Sequence, residues 1–112
     1  MNLYTYKAKV LRVVDGDTIE LFIDLGFTIS WRSTCRLSGI NAYELREEDE
    51  ELRLKAIKGK EWMEKQLPVG TDVTIVSKAL DKYGRPVAEV WKGKTNINNA
   101  MLDEGLAVKY KS

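Results

Sequence analysis

The 112-residue chain contains no histidine and a single cysteine. The first absence excludes an imidazole base, a histidine-containing triad and a histidine-ligated zinc. The second excludes an internal disulfide or a thiolate cluster, and Cys35, set in an alternating apolar stretch, reads as a buried structural thiol. With only two prolines and no low-complexity tract, there is no stiff linker to divide the chain. No apolar run approaches the roughly 18 to 20 residues that a membrane span requires, so a membrane is not an expected partner. The opening residues Met1-Asn2-Leu3-Tyr4 lack the basic-then-apolar pattern of a secretion signal, and the cytoplasm is the expected compartment.

What is present suits a globular protein: 44% of residues are hydrophobic and 31% charged. A chain of this length buries roughly 60 to 68% of its unfolded surface, enough for one modest core, and residues 1–112 are expected to form one domain. The net charge of +1 hides an uneven distribution. Residues 44–51 (ELREEDEE) hold six acids and one base, leaving the other 104 positions at +6. A basic body with one acidic patch points to an anionic partner, although such a run also serves as a plain solvated face.

Residues 7–14 and 18–23 read as strands joined through Asp15-Gly16-Asp17, and residues 27–37 read as a third strand. By parity Phe27, Ile29, Trp31, Ser33, Cys35 and Leu37 share one face of it. The period then changes. Leu52, Ala56, Met63 and Leu67, with Ile57 alongside, predict a helix over 47–67, acidic at its start and stopped by Pro68 and Gly70. Strands over 71–77 and 86–91 follow, the second entered through Pro86, and a short helix over 97–104 is capped by Thr95 or Asn96 and stopped by Gly105. The fold class is α+β: a five-stranded, oligonucleotide-binding (OB)-like barrel with one long helix after the third strand and a short one near the C-terminus.

The polar candidates gather at turns. Asp15 and Asp17 offer oxygen ligands to a hard cation, although Asp-Gly-Asp is also an ordinary hairpin turn. Arg36, Asn41 and Glu44 supply within nine residues a guanidinium for phosphate, a neutral oxygen ligand and a carboxylate to accept a proton from water, although Arg36 also reads as an ordinary strand-face charge and Glu44 as the start of a solvated acidic run. Lys82, Tyr83 and Arg85 around Gly84 combine a phosphate clamp with an aromatic platform, although the same residues also make a plain β-turn.

These residues resemble the staphylococcal-nuclease-like (thermonuclease) domain family. The resemblance is carried by Val14-Asp15-Gly16-Asp17-Thr18, Arg36-Leu37 leading to Glu44, Asp81-Lys82-Tyr83-Gly84-Arg85, and Asn98 through Gly105-Leu106-Ala107. It implies a sugar-nonspecific endonuclease that uses calcium to hydrolyse DNA and RNA, single-stranded or locally open, to 3′-phosphate products. It further implies Asp17 as a calcium ligand, Glu44 as general base, Arg36 and Arg85 as phosphate clamps, and Lys82, Tyr83 and Tyr110 lining the nucleotide site. One position departs from the pattern. Asn41 stands where the family has a second calcium aspartate, followed by Ala42-Tyr43 in place of a proline-containing pair. Asparagine ligates through a neutral oxygen and the Ala42 carbonyl remains available, so weaker calcium binding, or a preference for magnesium or another divalent ion, is implied. The alternative is a nucleic-acid-binding barrel of weakened or lost activity. No protein partner is expected, and the chain is expected to be a monomer.

Overall fold

The computed structural model describes residues 4–46 and 48–110. Strands β1 (Thr5–Asp15), β2 (Thr18–Gly26) and β3 (Ile29–Leu37) form the meander expected from the sequence. A short β4 (Ile40–Ala42) leads to the long helix α1 (Glu50–Gln66). Then come β5 (Asp72–Leu80), β6 (Pro86–Lys92), a two-residue β7 (Thr95–Asn96), the helix α2 (Ile97–Asp103) and β8 (Ala107–Lys109).

The five long strands run in the order β3-β2-β1-β5-β6, and a parallel contact of Arg36 with Val87 and Leu37 with Ala88 joins β3 to β6 and closes the barrel. Alternation puts Ala8, Val10, Ile19, Leu21, Cys35 and Leu37 inside, facing Val73, Ile75, Ala88 and Val90 from the other wall. Met63 and Leu67, from α1 and its cap, cover this core together with Ile97 and Met101 of α2. Each such side chain contributes roughly 1.5 to 3 kcal/mol on full burial.

The helix ends follow from local chemistry. Asp49 accepts the Glu51 and Leu52 N–H groups at 2.9 and 3.2 Å, with Glu50 and Glu51 in the first turn and Lys65 in the last, as the macrodipole favours. Asn96 caps α2 by accepting the Asn99 N–H at 3.1 Å, which decides between the two candidate caps.

Several expected boundaries shift. Phe27 and Thr28 are not strand residues: with φ of 53° and 64° they form the exposed tip between β2 and β3, a backbone choice that β-propensity does not reveal. Ile29 and Trp31 share the parity of Cys35 yet remain exposed, because β3 runs past the covered part of the barrel at that end. The long helix starts at Glu50, and Ile57 faces solvent while Gly59 is buried. Among the described residues no helix is long and apolar enough to cross a membrane.

Candidate nucleic-acid and phosphate site

The β1–β2 turn passes close to β4. A Cβ built on Gly16 would lie 2.8 Å from the Ala42 Cβ, so the close approach requires glycine. This approach brings Asp17 to the β4 backbone, where its Oδ2 accepts the Ala42 N–H at 2.9 Å. The Asp17 carbonyl also accepts the Leu37 N–H at 2.8 Å, tying the turn to the end of β3.

Arg36 occupies the centre of this junction. Its Nη1 lies 3.3 Å from Asp17 Oδ2 and donates to the Leu37 carbonyl at 3.1 Å, while Nη2 donates to Asn41 Oδ1. The guanidinium also sits 6.0 Å from the centre of the Tyr110 ring. Both partners of the Arg36–Asp17 pair are largely shielded from solvent, so the pair is positioned by the fold rather than by loose attraction. Asp15 is raised to about 6 by burial and by the neighbouring Asp17 carboxylate.

The β5–β6 loop presents the second cationic group. Asp81 Oδ1 accepts the Tyr83 and Arg85 N–H groups at 2.8 and 3.0 Å, and Oδ2 accepts from Arg85 Nε at 2.7 Å. Partial desolvation opposes ionisation of Asp81, but these bonds and the Arg85 charge prevail and hold its carboxyl below the ordinary range. Two cations approach the Tyr83 ring, Arg85 at 5.4 Å and Lys82 at 5.2 Å from its centre.

Arg36, Asn41, Lys82, Tyr83, Arg85 and Tyr110 line one open groove of about 880 Å³. The residues expected to bind substrate thus share a surface with both expected phosphate clamps. Asp17 and Ala42 do not line it: Asp17 pairs with Arg36 and accepts the Ala42 N–H, linking β4 to the arginine. Glu44 lies exposed two residues past β4 and, among the described residues, does not line the groove. Next to it, Tyr43 packs under Lys55 of α1, whose Nζ is 5.2 Å from the ring centre, so this stretch without proline is tied to the helix.

Residues 34–112 match the family described as staphylococcal nuclease homologue. The chain belongs to that family. The matched region includes Arg36, Asn41, Glu44, Arg85 and Tyr110, while β1 and β2, with Asp17, precede it and complete the barrel of this staphylococcal nuclease homologue. A comparison with curated proteins finds no match. Membership in the family together with the OB-like barrel supports a nuclease-like, nucleic-acid-binding module.

Two contributors, each at the head of a motif quoted from the sequence, carried no assigned role there. Asp81 orients Arg85, a role signalled by its four-residue spacing in a turn. Asn98 is buried, donating to the Ser38 and Ala88 carbonyls at 2.8 and 3.1 Å and accepting the Val90 N–H at 3.0 Å, so that it braces the junction of β3 and β6 behind the groove. Only its polar identity inside an apolar helix face hinted at this.

Proposed function

We propose that the chain is a divalent-metal-dependent endonuclease that hydrolyses DNA and RNA phosphodiesters to 3′-phosphate products. The observation that carries this reading is the shared groove of Arg36 and Arg85, each oriented by its own aspartate and each beside a tyrosine ring. Two guanidinium forks there bind nonbridging phosphate oxygens and neutralise charge that grows during attack. Tyr83 and Tyr110 supply faces for the adjoining nucleotide. Glu44, exposed two residues past β4 and outside the groove lining, serves as general base for a water held at the β4 edge of the groove, accepting its proton as it attacks, and the 5′ oxygen departs.

Among the described residues no three His, Cys, Asp or Glu side chains cluster as a metal-binding group. The donors at hand are nevertheless all hard oxygens: the Asp17 carboxylate, the Asn41 side-chain carbonyl and the Ala42 backbone carbonyl. This chemistry fits calcium or magnesium, held weakly because Asp17 brings one charge and Arg36 already engages both Asp17 and Asn41. A divalent cation bound there supplies further positive charge to the phosphate.

The second reading, a nucleic-acid-binding barrel with weakened hydrolysis, is favoured by Asn41 in place of a carboxylate. Digestion of denatured DNA and of RNA with calcium, magnesium or chelator separates the two. Cation-dependent cleavage, lost in Glu44→Gln and Arg85→Ala, supports the enzyme. Chelator-insensitive binding with no cleavage under any ion supports the binding module instead.

A further inference from the structure

We infer that the mouth of the barrel beside the arginine groove is a nucleobase subsite, an extension of the track that rests on the nuclease reading. A cavity of about 290 Å³ opens there, lined by Tyr4, Tyr6 and Trp31 over a floor of Ile23 and Ile75. Barrel mouths are places where side chains stop filling the interior and planar ligands enter. The rings are not spent on the core: Tyr4 is 51% exposed and Trp31 37% exposed although both face this opening.

Continuity with the groove selects the occupant. Ala79 and Leu80 line both spaces, so the base of the β5–β6 loop is their common wall, while its tip carries Lys82, Tyr83 and Arg85 on the groove side. A strand whose phosphate lies between Arg36 and Arg85 has a neighbouring base that can turn over this wall onto aromatic faces. Stacking uses the face of the base, tolerates any base and makes no demand on the sugar, in keeping with cleavage of both DNA and RNA. The lip is also fixed in place. Tyr4 holds a φ of 66°, disfavoured for a bulky residue, and its carbonyl accepts the Ser77 N–H at 3.0 Å.

The test measures binding of a short labelled oligothymidylate, and of a series in which one abasic residue is walked along it, in the Glu44→Gln background that slows turnover. At one position the missing base is expected to lower affinity about 5- to 100-fold. In Trp31→Ala, and in Tyr4→Ala at the exposed lip, that penalty shrinks toward none. A bromouridine at the same position is expected to photo-crosslink to Trp31 or Tyr4 without any change at the pocket. Equal abasic penalties with and without both substitutions, or crosslinks confined to Tyr83 and Tyr110, overturn the subsite while cleavage by the unmodified chain leaves the nuclease reading intact. If the oligonucleotide is neither bound nor cleaved, both fall.

Discussion

Arg36 makes directed contacts to Asp17, Asn41 and the Leu37 carbonyl at once, from two nitrogens of a planar fork whose spacing a single ammonium does not reproduce. Arg36→Lys is therefore expected to lose activity nearly as fully as Arg85→Ala, each lowering kcat by about 10²- to 10³-fold in steady-state assays of cleavage. Asp81 gives a pH signature. Because its folded-state pKa is depressed, the stabilisation it lends the loop is present above the unfolded value and disappears as pH falls through the folded one. An NMR titration of the carboxyl carbon is expected to report a midpoint below that of a free aspartate, and Asp81→Asn should remove this acid-side loss. Cys35 behaves oppositely. Burial, partly offset by the Arg85 charge, pushes its thiol up to about 12, so the reactive thiolate is scarce at neutral pH. Iodoacetamide should leave the native chain unmodified by mass spectrometry and label it once denatured.

At the scale of elements, the contact between the β1–β2 turn and β4 is the most sensitive to volume. Gly16→Ala forces a methyl against Ala42 and is expected to cost about 1 to 3 kcal/mol in denaturant unfolding, with weakened cation dependence as Asp17 is pushed from the Ala42 N–H. Elements whose cause is local were legible in the sequence. Alternation around Val10, Leu21 and Cys35 marked strands, and the period of Ala56, Met63 and Leu67 marked the helix. Elements whose cause is distant were not. Strand β4 exists because Asn41 pairs with Val108 of β8, and two strands of three residues carry no periodicity of their own. The site divides in the same way: the three polar groups at turns were visible, but the bonds from Arg36 to Asp17 and Asn41 depend on the folded turn. Glu44, visible for the same reason, sits in an exposed turn where local sequence does not dictate direction.

Over the whole molecule, barrel closure rests on two residue pairs of β3 and β6, braced by the Asn98 amide. Replacing that amide in Asn98→Ala leaves two carbonyls and the Val90 N–H without it, at an expected cost of roughly 2 to 5 kcal/mol in thermal or denaturant unfolding. Hydrogen exchange should quicken first at Leu37 and Ser38. Arg36 belongs to one side of this closure, and Arg85 directly precedes the other. Mild heating that lets the seam part would draw the guanidinium groups away from each other while the remaining strands stay together, so the molecule would fall silent on its substrate at temperatures where it still looks native to spectroscopy.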